Sequence, residues 1–278
     1  MSFKKSILSS LCSRGAAVKL SGVLSEKSLT GAVHGGKVTA LGIVGRALIS
    51  VGFDDVMRFT DLGSLIMDPE AVAMNGQPVS LSTLPGLLTF AVATSKEVAI
   101  FAERNRVGGF LLPQDKFSCN VVALFAENSV ALGCTDFKTR VYEVGADYSF
   151  SLIASIETRS SVTSLAVRPS CDFIAIGDNG RQVEVYERGS WAETIKNIWS
   201  FHTSKVTCLA WSPNGNYLAS GSIDECIIVW DFETPSKKLI LSFAHNAGVA
   251  ALLWLDDTKL CSVGNDHTTV IWNIPASL

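Results

Sequence analysis

The chain has 278 residues, 47% of them hydrophobic and 18% charged, with a formal net charge of −3. That much apolar material supports a sizeable core and argues against extended disorder, and one all-β domain can run to this length. The slightly acidic balance gives no electrostatic reason to expect nucleic acid or an anionic membrane as partner, and no uninterrupted apolar run approaches the ~18–20 residues that a membrane-spanning helix needs.

Residues 1–25 carry Lys4, Lys5, Arg14 and Lys19, several serines, and no acid before Glu26. Such a balance resembles a targeting peptide. Its apolar stretch from Ile7 to Leu11 is short and broken by Ser9 and Ser10, and no small-residue cleavage site follows. An irregular start to the chain is the preferred reading, which sets residues 1–25 apart from a single domain over 26–278.

From residue 37 onward the chain repeats itself. Three apolar runs of five to eight residues, punctuated by Gly, Asn, Asp and Pro, recur over 37–62, 79–103, 120–144, 162–187, 205–246 and 249–274. The clearest unit, 205–246, reads as strand, Pro-Asn-Gly turn, strand, Asp turn, strand ending in Trp-Asp, then a fourth strand after a loop. Aligning the turn between second and third strands gives Asp54, Ser95, Asp136, Gly180, Asp224 and Asp266. A period of ~40–45 residues is the signature of propeller blades. Runs rich in Val, Ile, Leu and Phe are strands, and the stretch around Trp191–Ile198 reads as a loop leading into another strand. A lone four-stranded sheet of this kind would expose two apolar faces. Radial packing buries them and leaves short, protected edges. The fold class is therefore all-β, a β-propeller with six four-stranded repeats.

Seven cysteines stand far apart with no CxxC pair, and Cys119, Cys208, Cys226 and Cys261 fall in or beside apolar runs. They read as buried free thiols. No HExxH, P-loop or paired Cys/His spacing is present, so neither metal nor cofactor nor small-molecule substrate is expected.

In the fifth repeat His202 precedes the first strand, Ser220 ends the second, Asp224 lies in the turn, and Trp230 ends the third. The sixth matches with His245, Ser262, Asp266 and Trp272, with Ser to Asp four residues and Asp to Trp six in both. The first repeat keeps His34, Ser50 and Asp54 but has Thr60 in the Trp slot. The third keeps Asp136, with Tyr142 for Trp; the fourth has Gly180 and Tyr186, the second Ser95 and Phe101. This pattern resembles the His–Ser–Asp–Trp tetrad of WD40 repeats. A Ser, a His and an Asp in one unit also invite a catalytic-triad reading. Recurrence at fixed spacing and the absence of a GxSxG elbow favour a structural role, with no enzyme activity.

The likeness is narrower than the generic repeat. HTSKVTCLAWSPNGNYLASGSID (202–224), the closing VAALLWLDDTKLCSVGNDHTTVIWNI (249–274) and ALISVGFDDVMRFTDL (47–62) are similar to the second, C-terminal propeller of the actin-interacting protein 1 family. That resemblance implies a cytosolic protein of the actin cytoskeleton. It would be a non-enzymatic platform that binds actin filaments decorated with cofilin (ADF) and promotes their disassembly, without cofactors. Relatives carry two seven-bladed propellers, so the implied chain holds most of the second and lacks the first. The loss of a second module would remove its effective-concentration gain. A generic scaffold or adaptor, for example in a ubiquitin ligase or signalling assembly, is the competing reading, because fold alone does not choose the partner. Two expectations concern the ends. Residues 28–34 are expected to pair beside the 268–274 strand and close the ring, and residues 16–24 are read as the remnant of a seventh blade.

Overall fold

A computed structural model of the protein describes residues 30–31, 33–84, 86–113, 115–125, 128–195 and 199–275. They form twenty-four strands in six sheets and, among these residues, no helix. No helix there is long and apolar enough to cross a membrane, which says nothing of β-barrels.

The first sheet holds β1 (Thr30–Gly31), β2 (Val38–Val44), β3 (Ala47–Gly52), β4 (Val56–Asp61) and β5 (Ile66–Ala73), in the order β1-β5-β4-β3-β2. The second runs β6 (Pro78–Thr83), β7 (Thr89–Thr94), β8 (Glu97–Ala102), β9 (Asn105–Leu111). The third is β10 (Cys119–Leu124), β11 (Ser129–Cys134), β12 (Lys138–Val144), β13 (Phe150–Glu157). The fourth comprises β14 (Val162–Val167), β15 (Phe173–Asp178), β16 (Val183–Glu187) and β17 (Glu193–Ile195), and the fifth β18 (Val206–Trp211), β19 (Tyr217–Ser222), β20 (Ile227–Asp231) and β21 (Lys238–Leu241). The sixth has β22 (Val249–Asp256), β23 (Lys259–Gly264) and β24 (Thr269–Asn273). Two compact units divide at Ser155/Ile156, within β13.

All six aligned turn residues lie between the second and third strands of their repeats. Around Trp191–Ile198 the strand itself, β17, begins at Glu193; residues 196–198 lie outside the described set. Burial is graded across each sheet. β11 and β19 are buried at every position and β3, β7, β15 and β23 at all but the first, whereas the outer β5 and β13 are mostly exposed. A strand packed on both faces needs apolar side chains on both, which is why these runs lack clean alternation. First strands of neighbouring sheets lie side by side, β2 with β6 and β6 with β10 in one unit, β14 with β18 and β18 with β22 in the other.

Ring closure through residues 28–34 is not what the structure shows. Thr30 pairs with Ile66 and Gly31 with Met67, in parallel, so β1 covers the outer edge of β5 in its own sheet. Gly31 makes this possible: at φ +104 it brings its backbone so close to Met67 that a Cβ would stand 2.4 Å from the carbonyl oxygen. β24 is the outermost described strand of its sheet, and its side chains alternate between exposed and half-buried, with Ile271 54% exposed. Residues 1–25, including the segment 16–24, lie outside the described residues.

Candidate functional site

Each second strand rises to a tight turn, and the loop before each first strand lies beside that turn. In the fifth sheet this juxtaposition brings four side chains together. His202 Nδ1 is 3.0 Å from Asp224 Oδ2 and its Nε2 is 2.8 Å from Ser220 Oγ, while the Trp230 indole donates to the same Oγ at 2.8 Å. The backbone amides of Thr203 and Cys226 donate to the Asp224 carboxylate. The sixth sheet repeats this: His245 Nε2 is 2.7 Å from Ser262 Oγ, Trp272 donates to that Oγ at 2.8 Å, and His245 Nδ1 is 3.2 Å from Asp266 Oδ1. Thr268 adds a hydroxyl bond to Asp266.

With a proton on Nδ1 facing the carboxylate, Nε2 accepts from the serine O–H and the serine oxygen accepts from the indole. The order Asp–His–Ser is that of a nucleophilic triad, but Ser220 and Ser262 are wholly buried and their oxygens are already engaged by tryptophan. These two hydroxyls cannot reach a substrate; they satisfy groups that would otherwise cost ~1–3 kcal/mol each to bury. Burial lowers the pKa of His202 against the opposing pull of Asp224, keeping the imidazole neutral. Burial also pushes Asp224 up, but bonds from the Thr203 amide, His202 and the Cys226 amide outweigh it, and the carboxyl titrates below its ordinary range.

The other sheets fill the same slots differently. In the first, His34 Nδ1 is 2.9 Å from Asp54 and Nε2 is 2.8 Å from Ser50 Oγ, but Thr60 stands buried in the tryptophan slot with no partner for its hydroxyl. In the second, Ser95 accepts the Gln77 amide just as the Asp residues accept theirs, and Phe101 stacks on Phe90 with centroids 5.2 Å apart. A network absent from the sequence reading lies beside it. Buried Glu97 takes both terminal nitrogens of Arg106, at 3.0 and 2.9 Å, and the Asn75 amide at 3.3 Å. In the third, Arg140 takes the place beside the turn aspartate that histidine takes elsewhere. It pairs with Asp136 and lies 3.8 Å from the Phe117 ring centre, while Tyr142 packs on Phe110. In the fourth, Gly180 offers no carboxylate. Buried Asp178 caps the turn by accepting the Gln182 amide, and the Tyr186 hydroxyl donates to buried Glu184.

The WD domain, G-beta repeat model matches residues 193–231 and 237–273, the two stretches that contain Trp230 and Trp272. The chain is a WD40 β-propeller. It is 29% identical over 257 residues to actin-interacting protein 1 of Drosophila melanogaster, covering 91% of this chain and 41% of the relative. It is 30% identical over 251 residues to actin-interacting protein 1 of Caenorhabditis elegans, at 87% and 40% coverage, and 28% identical over 230 residues to WD repeat-containing protein 1 of Mus musculus, at 82% and 37%. The propeller chain thus spans about 40% of the length of the curated relatives it matches.

Two further devices tie neighbouring sheets of the propeller together, and both escaped the sequence reading. Thr39, Thr163 and Thr207 are the second residues of first strands, and each hydroxyl donates to a carbonyl of the next sheet: Pro78, Val206 and Val249. The recurring Val-Thr at 38–39, 162–163 and 206–207 was the available signal. Trp211 and Trp254 instead donate to the carbonyls of Ala166 and Ala210 in the preceding sheet. In and beside the loops between sheets and the turns between second and third strands, large apolar side chains face solvent: Val33, Phe53, Phe137 and, at the end of β9, Leu111 in one unit, Phe201, Ile223 and Phe243 in the other. Phe243 is 85% exposed and sits at φ +54, a backbone region that bulky residues rarely adopt. The six cysteines among the described residues are free, and burial raises Cys119, Cys134 (to about 11), Cys208 (to about 12) and Cys261 (to about 11). No group of three His, Cys, Asp or Glu among the described residues could hold a metal ion.

Proposed function

We propose that this propeller is a non-enzymatic binding module of the actin cytoskeleton, in the cytoplasm, that engages actin filaments carrying cofilin and favours their disassembly. The observation that carries this reading is the match along about nine tenths of the chain to proteins named for interacting with actin. The tetrads support the non-enzymatic part, since their serines are buried and hydrogen-bonded. Contact with a filament falls to the exposed apolar side chains on the tetrad-bearing loops, with Phe243 foremost, because large exposed side chains beside a rigid scaffold are the usual anchors of an interface. Co-sedimentation with filaments, with and without cofilin, tests the reading. Enhanced pelleting with cofilin, reduced by Phe243→Ser, is expected; pelleting that cofilin does not increase would remove the cofilin part. Absence of pelleting in both arms would remove the actin reading for this chain.

A further inference from the structure

An open cleft of about 660 Å³ lies in the first unit, at the ends of the sheets opposite the tetrads. Its walls come from the β6–β7 loop of the second sheet and the β12–β13 connection of the third. Leu87, Leu88, Val144 and Tyr148 give it apolar surface, and Asn128 and Glu143 stand at its polar side. Leu88 is 51% exposed, and along β13 Ile153, on the same face as the lining residue Ser151, is also exposed. Apolar surface therefore continues out of the cleft. The turn that forms one wall is held rigidly: the Gly145 amide donates to Ser149 O, Ser149 caps on Asp147, and Tyr148 is fixed at φ +59 against Gly108.

The one charged residue among those lining the cleft is Glu143. Asp147 is part of the cleft's wall turn, and Glu103 adjoins the cleft through a backbone bond from its amide to Leu88 O. No lysine or arginine is among its lining residues, and the adjacent Arg104 is engaged by Asp68. A pocket-sized apolar surface lined by a carboxylate and by no cation is complementary to a cationic side chain set between apolar ones.

We propose that this cleft docks a short basic, apolar segment of a partner polypeptide, with leucine-like side chains against Leu88, Val144 and Tyr148 and a lysine or arginine against Glu143. This site is separate from the tetrad-bearing loops and does not depend on the actin reading.

Two labelled peptides of about a dozen residues, one built of leucine and lysine and one of leucine and glutamate, are titrated into the full chain and followed by fluorescence anisotropy at near-physiological salt. The lysine peptide is expected to bind and the glutamate peptide not to. Glu143→Lys is expected to weaken the lysine peptide about fivefold or more and to confer binding of the glutamate peptide, since it replaces an attraction by a repulsion. Leu88→Ser should weaken the lysine peptide to a similar degree. Glu233→Lys, an exposed reversal of equal charge in the other unit, should leave the affinity unchanged. All three sites are solvent-exposed, so the variants are expected to retain the wild-type circular dichroism spectrum. Equal binding of both peptides, or equal weakening by Glu143→Lys and Glu233→Lys, would overturn the proposal. So would light scattering that shows wild-type dimers abolished by Leu88→Ser, because the occupant would then be a second copy.

Discussion

Replacing Trp230 by alanine tests whether the tetrad and the packing around it act as one unit. The indole is wholly buried, stacks on Trp199 with ring centres 5.1 Å and planes 22° apart, touches Phe201, and donates to Ser220. Large-to-small truncation of a buried aromatic costs about 3–5 kcal/mol. Ser220 retains His202 after the change, so the lost indole bond adds only about 1 kcal/mol, and a total of about 4–6 kcal/mol is expected. Urea unfolding followed by far-ultraviolet circular dichroism reads this as a midpoint lowered by more than about 1 M. Trp230→Phe keeps the ring stack but removes the N–H, and should cost about 1–2 kcal/mol. Trp272→Ala should cost about half as much as Trp230→Ala, because Trp272 is only half-buried on the outermost described strand of its sheet. A Trp230→Ala loss below about 1 kcal/mol would refute the reasoning, since neither burial nor the bond to Ser220 could then be contributing.

Arg106→Ala should cost about 2 kcal/mol in urea unfolding, because it leaves the buried Glu97 carboxylate with only Asn75; Arg106 is itself half exposed, which holds the figure below that of a fully buried pair. Thr207→Val preserves shape and removes the hydroxyl bridge to Val249 O, with an expected loss of about 1 kcal/mol by the same assay. Burial raises both Asp178 and Glu184 above their ordinary values, so the folded state favours their protonated forms. Their contribution is complete below the unfolded carboxyl range and is lost as pH rises through the folded values. Asp178→Ser should therefore flatten the fall in urea midpoint between acidic and neutral pH, and an unchanged slope would count against it.

The repeat was legible because turn chemistry and strand composition recur at a fixed interval, and every aligned turn residue sits where that interval puts it. Pairing at the chain's start was not legible. Short apolar segments with a glycine, such as residues 29–35, suit either a parallel or an antiparallel edge, and nothing local to Thr30 and Gly31 specifies β5 as their partner. The fully formed tetrads of the fifth and sixth sheets could be read from spacing because their Ser, Asp and Trp recur at identical offsets in two successive repeats, each with a His just before the first strand. The Glu97–Arg106–Asn75 network could not, because its acid begins a third strand, its base lies in a fourth, and its amide precedes a first. None of the three occupies a slot that the tetrad pattern defines.

These replacements explain how one architecture tolerates so much departure from its own signature. What each sheet needs at the turn is an acceptor for the backbone amide of the preceding loop, and Asp54, Ser95, Asp224 and Asp266 all supply one. What it needs beneath the turn is a polar group that leaves no buried donor alone. A hydroxyl does this at Thr94 and Ser222, accepting from the turn amides and donating to the carbonyls of Asn75 and Ser204. Asp178 holds the same position in the fourth sheet. As a carboxylate it would have no proton to donate, and its Oδ2 has no hydrogen-bond partner. Protonated, it becomes a donor like the hydroxyls, and burial drives it toward that form. The raised pKa and the orphaned oxygen are thus two views of one substitution, an acid placed where its neighbours use an alcohol. Asp178→Ser should therefore be stabilising at neutral pH and close to neutral in effect under acidic conditions.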